Sequence, residues 1–298
     1  MENFILIGIF VGLGVVFRKI EAFPEQTSQA LNMFALYVAL PAVILLKVPQ
    51  LKLSYEMMVP AIVPWVMLLL SAVLILVVGK KVHWSRETIG VLLLVVPIGN
   101  TSFMGVPMVN AFFGETGIPH LIIYDQIGTM LIFALYGSIV LGLYGRQGEI
   151  KTAEVAKRAL LFPPTMALLV GLLLRDYPYP DSVIRGLETL AGMLTPLVMT
   201  AIGFQLRIRL SPAVLKPLGF GLAIKLAIAP LLALAGCRLL GLDSLAADVS
   251  IFEAGMPPMV TAGALAIAAG MVPELAAALV SLGMALAFVS LPVLYFLI

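Results

Sequence analysis

The sequence predicts an all-α integral membrane protein whose ten transmembrane helices form two inverted five-helix repeats, with broken crossing helices four and nine. Three observations lead to this prediction: the chain is too apolar to be soluble, its prolines recur at one offset, and two matching spans are interrupted. Of its 298 residues, 61% are hydrophobic and 11% are charged, and the mean hydropathy is +1.10. Soluble domains carry about 25% charged residues. This composition is typical of a chain that faces lipid.

Hydropathy and helix breakers divide the chain into ten predicted spans. Their ranges are 3–17, 27–47, 56–79, 86–113, 118–144, 159–174, 182–204, 212–240, 244–270 and 273–297. A span needs about 20 residues, so we expect the short first and sixth spans to be nearly upright. The longest polar connection is 145–158, and we expect no soluble domain.

The orientation follows from the lysines and arginines of the connections, because cytoplasmic loops are enriched in these residues. Odd-numbered connections carry Arg18, Lys19, Lys80, Lys81, Arg86, Arg146, Lys151, Lys157, Arg158, Arg207, Arg209 and Lys216. Even-numbered connections carry only Lys47, Lys52, Arg175, Arg185 and Arg238. This bias predicts that the odd connections are cytoplasmic and that both termini lie outside, in a multi-pass protein of the inner cell membrane.

A repeat is visible in the prolines. Pro41 and Pro196 lie inside the second and seventh spans, 155 positions apart, and Pro119 and Pro273 open the fifth and tenth spans, 154 positions apart. Chance matching among 20 prolines is the alternative. Because five is odd, the second copy enters the membrane from the opposite face, as in many secondary transporters. The two predicted repeats are residues 1–150 and 151–298.

Two spans that this offset relates are broken near their centres. The fourth span contains "GNTSFMGVPMVNAFFG", residues 99–114, and the ninth contains "SIFEAGMPPMVTAGALA", residues 250–266. Lipid cannot satisfy the backbone groups that such a break frees, so each break must be buried in protein or line a wet cavity. Matched interruptions in two halves are the best sequence indication of a transport site.

The chemistry of a broken helix suits ions. The start of a half-helix offers unpaired amides that favour an anion, and the end of the preceding half offers carbonyls that suit a small cation. Pro107 and Pro258 fit the first turns of the second halves, where a missing N–H costs nothing. Asn100, Thr101 and Ser102 add donors and acceptors. The alternative is a kinked helix whose hydroxyls bond back to its own carbonyls.

Glu253 is the most informative charged residue. A carboxylate at mid-membrane costs roughly 2.5–3.5 kcal/mol even on lenient scales, so it needs a partner or a bound cation. Other charges in the predicted spans are Asp125, Lys225 and Asp248, and Gln126 and Thr129 follow Asp125. A structural ion pair of Lys225 with Asp248 or Glu253 is the alternative to a functional role.

Several classes of function are disfavoured. A net charge of +2 gives no reason to expect a nucleic-acid partner, and one cysteine excludes an internal disulfide. No nucleophile, base and orienting group can be assembled, so we predict that the protein is not an enzyme.

The stretches "NTSFMGVPMV" and "FEAGMPPMV", together with the ten-span plan, resemble the auxin efflux carrier family in its compact bacterial form. The resemblance runs over essentially the whole chain. It implies a secondary transporter of organic anions, a scaffold of spans one, two, six and seven, and a moving transport domain of spans three to five and eight to ten. It also implies a homodimer and an elevator-type motion. The long central loop of the plant carriers is absent, which makes auxin an unsafe guess for the substrate.

The fold is shared by the bile acid sodium symporters, whose sodium ligands include a glutamate that opens a Glu-x-Gly-Met run on the ninth span. Residues 253–256 match that run. We therefore expect sodium at Glu253, although a proton on this carboxylate is the alternative; no other cofactor is expected.

The sequence thus predicts a cation-coupled symporter of a small carboxylate, with a channel or an uncoupled uniporter as the alternative. The expected substrate-binding residues are Asn100, Thr101, Gly105, Pro107, Pro257, Pro258 and Thr261. The expected cation-binding residues are Glu253, Met256, Asn100, Ser102, Asp125 and Thr129. The expected charge partners are Lys225 and Asp248.

Overall fold

A computed structural model describes residues 2–50, 55–145, 161–175, 177–206 and 211–298. Its helices are α1 Glu2–Phe17, α2 Thr27–Lys47, α3 Tyr55–Lys81, α4 Arg86–Val95, α5 101–113, α6 Glu115–Tyr144, α7 Pro163–Leu173, α8 Asp181–Gln205, α9 Pro212–Leu239, α10 Leu245–Ala254, α11 Val260–Ala268 and α12 Pro273–Tyr295. Within these ranges the protein is all-helical and has no strand, as predicted. The boundary at 150 and the connection 145–158 lie, apart from Gly145, outside the described residues.

Six of these helices, α2, α3, α6, α8, α9 and α12, are long and apolar enough to cross a membrane. The apolar part of α1, Ile5–Phe17, and α7 are shorter, as expected for the first and sixth spans. The pairs α4–α5 and α10–α11 flank the two predicted breaks, and both breaks are confirmed. The count of ten spans and their inverted repeat stay predictions.

The helices pack in two groups. Helix α8 packs against α1 and α2, and α2 packs against α7, while α3, α4, α6 and α9 to α12 surround the two breaks; α5 contacts both groups. Helices α1 and α8 approach each other closely at Gly14 and Gly203. A Cβ on Gly203 would lie 2.0 Å from the Val11 carbonyl oxygen, and one on Gly14 would lie 2.1 Å from the Thr200 oxygen. Small residues of this kind let two membrane helices touch along their backbones.

Four of the helices contain a π-helical segment: Ala35–Ala39 in α2, Thr101–Gly105 in α5, Tyr124–Met130 in α6 and Ile224–Ile228 in α9. A π-helical turn is rare and occurs frequently at functional sites. Three of the four carry polar residues that the sequence indicates, namely Thr101 and Ser102, Asp125, and Lys225.

Candidate functional site

The two breaks lie across each other and are joined through their backbones. The amide of Asn100 donates to the carbonyl of Pro257 at 2.7 Å, and the amide of Met259 donates to the carbonyl of Ile98 at 2.9 Å. Gly99 and Pro258 form the antiparallel bridge between them. Each break therefore satisfies part of the backbone that the other exposes, which a lipid environment requires.

Local sequence explains the first break. Val96 still has helical dihedral angles and its amide donates to the Leu92 carbonyl, but Pro97 has no amide that could continue this pattern, so α4 ends here. Helix α5 then begins with a π-helical turn, in which the amides of Met104 and Gly105 both donate to the carbonyl of Asn100. Pro107 follows at the start of the α-helical part of α5, as predicted.

The second break corrects one prediction. Helix α10 ends at Ala254, and α11 begins only at Val260. Pro258 therefore lies in the extended break rather than in the first turn of a half-helix. Two consecutive prolines hold the residue before each of them extended, and neither has an amide to bond. Pro257 instead supplies the carbonyl that binds Asn100.

Asp125, on the π-helical segment of α6, is 2% exposed and is held by three donors. The hydroxyls of Thr101 and Ser102 donate to its Oδ1, the latter at 2.7 Å, and the Gln126 amide donates to Oδ2 at 2.7 Å. Gln126 in turn accepts from Thr165 of α7 at 3.2 Å. The polar residues that follow the first break are thus fixed by an acid on another helix, not by their own helix carbonyls.

Glu253 is fully buried, and neither carboxylate oxygen has a hydrogen-bond partner among the described residues. The side chain lies against Gly105 of α5: a Cβ there would be 2.7 Å from Oε1 and 3.0 Å from Oε2. The Nδ2 atom of Asn100 is also buried and without a partner in the described chain. Buried polar atoms of native proteins are nearly always satisfied, so these atoms indicate a place for a ligand.

Lys225, on the π-helical segment of α9, is 4% exposed and contacts both breaks. Its ammonium donates to the carbonyl of Ala254, at the end of α10, at 3.2 Å. A Cβ on Gly99 would lie 3.1 Å from its Nζ atom. Lys225 and Asp125 both interact electrostatically with Glu253.

The remaining predicted residues differ in position. Asp248 lies apart from this cluster, because it pairs with Arg238 at 3.5 Å, and Arg238 also pairs with Asp243. Met256 and Thr129 are buried. The side chain of Thr261, on α11, is exposed.

The donor set fits a small hard cation. Glu253 offers two oxygens without partners. Thr101 and Ser102 donate their protons to Asp125, which leaves lone pairs on their own oxygens free to face a cation. Sodium would take its ligands from such oxygens.

A cavity of about 900 Å³ lies between the two helix groups. It is lined by the end of α2, by α5, by the start of α6, by the connection after α7 and by α8. Val106, next to Gly105, is part of its wall. Lys47 and Glu115 form an ion pair of 2.7 Å beside it, with Arg175 and Tyr179 nearby. The cavity lies at the end of the molecule where even-numbered connections meet.

Sequence reasoning missed two polar residues of this region. Asn110 lines the cavity wall ten positions after Asn100, and Thr165 holds Gln126 from another helix. Asn110 could have been found from its spacing, since it stands three residues after Pro107 on the same half-helix. Thr165 gives no signal, because its partner is 39 positions away.

Comparison with known proteins gives a consistent result. A model of a family described as membrane transport protein matches residues 3–295. The chain is 27% identical over 295 residues to an uncharacterized transporter of Methanothermobacter thermautotrophicus, covering 98% of this chain and 96% of the relative. It is 24% identical over 269 residues to an uncharacterized transporter of Methanocaldococcus jannaschii, covering 86% and 85%.

Proposed function

The chain belongs to the membrane transport protein family, that of the auxin efflux carriers, and from this premise we propose that it is a secondary active transporter of a small carboxylate. The family and the relatives are transporters, not enzymes. The protein works across a lipid bilayer, as the apolar helices require. We propose the substrate class, the coupling cation and the transport motion.

The observation that carries the proposal is the pair of mutually bonded breaks with unsatisfied polar atoms beside them. The substrate carboxylate binds at the crossing, held by Asn100 and by the free amides at the starts of α5 and α11, where the helix dipole is positive. Thr101 and Gly105 border this place on one side, and Pro257 and Pro258 border it on the other. The cavity of about 900 Å³ lies beside this place, since Val106 in its wall directly follows Gly105.

The coupling cation binds at Glu253, and sodium is favoured over a proton. Sodium would draw on the Glu253 carboxylate, on Ser102 and on Asn100, with Asp125 close by. Its charge offsets the repulsion between Glu253 and an incoming carboxylate. A proton bound to Glu253 is the alternative, because it would neutralise the same carboxylate and would need no ligand besides Glu253.

Transport follows an elevator scheme. Helices α1, α2, α7 and α8 form the scaffold, at which two copies of the chain associate, and the group around the breaks moves past it. The cavity between the two groups supports this division. In such a scheme the crossing is exposed to one side of the membrane at a time.

Exchange in proteoliposomes tests the proposal. Malonate, a small dicarboxylate, serves as the probe. Liposomes loaded with unlabelled malonate should take up labelled malonate by counterflow, and a sodium gradient should drive net uptake. Asn100→Ala should weaken binding about ten- to hundredfold, because a hydrogen bond to a charged group contributes about 1.5–3 kcal/mol. Thr189→Ala, which removes an exposed hydroxyl of α8 that donates to a carbonyl of its own helix, is the control. High ion flux without counterflow would establish the rival function, a channel.

A further inference from the structure

Three charged side chains are buried in the part of the chain that the structure describes, and all three lie at the crossing. They are Asp125, Glu253 and Lys225, which are 2%, 0% and 4% exposed. Two of them carry a negative charge and one a positive charge, so the group has a formal charge of −1. Charges in a protein interior far from water are costly unless they are balanced.

Lys225 supplies its positive charge without pairing directly with either acid. No ion pair joins it to a carboxylate of the described residues, and its hydrogen bond goes to the Ala254 carbonyl. That carbonyl belongs to the free end of α10, where the negative end of the helix dipole favours a cation. Glu253, one position earlier, keeps both of its oxygens available.

From this arrangement we propose that Lys225 is a resident cation that fixes the number of external cations bound at the crossing at one. Its ammonium occupies the carbonyl end of α10 and balances one of the two acids. The remaining negative charge is balanced by a single sodium ion at Glu253. This inference rests on the proposed sodium site, and it adds the stoichiometry and the residue that sets it.

The charge count makes a different prediction for each substitution. Lys225→Met leaves two unbalanced acids, so two sodium ions should bind. Glu253→Gln leaves Asp125 balanced by Lys225, so none should bind. The double variant Glu253→Gln/Lys225→Met leaves Asp125 alone and should bind one again, in a site where Thr101 and Ser102 face the same carboxylate. Lys225→Arg keeps the charge and should keep a count of one.

Equilibrium dialysis of the purified protein against radioactive sodium measures these numbers directly. The expected values are about one for the wild type, two for Lys225→Met, none for Glu253→Gln and one for the double variant, by charge balance. Gel filtration of each variant controls for folding. Recovery of binding in the double variant cannot result from misfolding, since that variant carries both changes.

The result that overturns the inference is a sodium count that does not follow the charge. Equal counts in the wild type and in Lys225→Met would do so, as would an absence of sodium binding in every variant. A thermal-shift measurement with malonate on the same samples tests the proposed function separately. Malonate binding with an unchanged count leaves the transporter proposal standing, whereas the expected counts without carboxylate binding support the charge balance and reject the substrate.

Discussion

Replacing Gly105 by alanine tests the sodium site without removing any of its ligands. The new Cβ would lie 2.7 Å from Oε1 of Glu253 and 3.0 Å from Oε2. A carbon and an oxygen in contact are separated by about 3.3 Å. Oε1 must therefore retreat by about 0.6 Å, which exceeds the tolerance of about 0.2 Å that metal–ligand distances allow.

The effect on binding should be much larger than the effect on stability. Misplacing a ligand through its support typically weakens metal affinity about 10- to 100-fold, or about 1.4–2.8 kcal/mol. The atoms that must move are the end of a flexible side chain, and alanine in a helix interior regains roughly 0.5–1 kcal/mol over glycine. The melting temperature without sodium should thus change by only a few degrees, since about 1 kcal/mol corresponds to about 2–4 °C for a chain of this size.

The assay is a sodium titration of the melting temperature of the protein in detergent. Gly105→Ala should need about 10- to 100-fold more sodium for the same stabilisation. Gly12→Ala on α1 is the control, because a Cβ there meets nothing within 4 Å. If Gly105→Ala binds sodium as tightly as the wild type, Glu253 is not the sodium ligand that we infer.

Three further expectations concern packing, surface charge and orientation. Gly203→Ala should lower stability by about 1–3 kcal/mol, because the new Cβ would meet the backbone oxygen of Val11, which cannot move aside. The melting temperature should fall, and an unchanged value would contradict the packing of α1 against α8. Glu115→Gln should lower stability by less than about 1 kcal/mol in the same measurement, since the Glu115 side chain is 78% exposed in its ion pair with Lys47. A larger loss of stability would mean that the ion pair is shielded from water. In a cysteine-free background, a cysteine at Ile298 should react with an impermeant reagent from outside and one at Lys151 should not, and the reverse labelling would invert the predicted orientation.

The sequence allows the breaks to be predicted because their causes are local. Pro97, Gly255 and the pair Pro257–Pro258 each disfavour a continuous helix through their own backbone chemistry. The polar residues beside the breaks can be identified for the same reason, since Asn100 stands out in an apolar stretch. The misplaced turn at Pro258 arose because a proline is compatible both with the start of a helix and with an extended segment.

The partners of the site could not be predicted, because they depend on contacts between distant parts of the chain. The contact of Gly105 with Glu253 joins positions 148 residues apart, and the Thr101–Asp125 hydrogen bond joins two helices. Asp248 is the opposite case, a residue near in sequence that the fold places elsewhere. Its sequence distance from Glu253 indicated a shared site, whereas the fold brings it to Arg238.

The contact between Gly14 and Gly203 has a consequence for biosynthesis. The first helix finds its closest neighbour on a helix that the ribosome completes about 190 residues later. At about 5–20 residues per second, α1 waits roughly 10–40 s in the membrane before its partner exists. During that interval the glycine face of α1 lacks α8, so lipid, an earlier helix of the chain or another protein must cover it, and the insertion machinery or a chaperone has a period of this length in which to bind it.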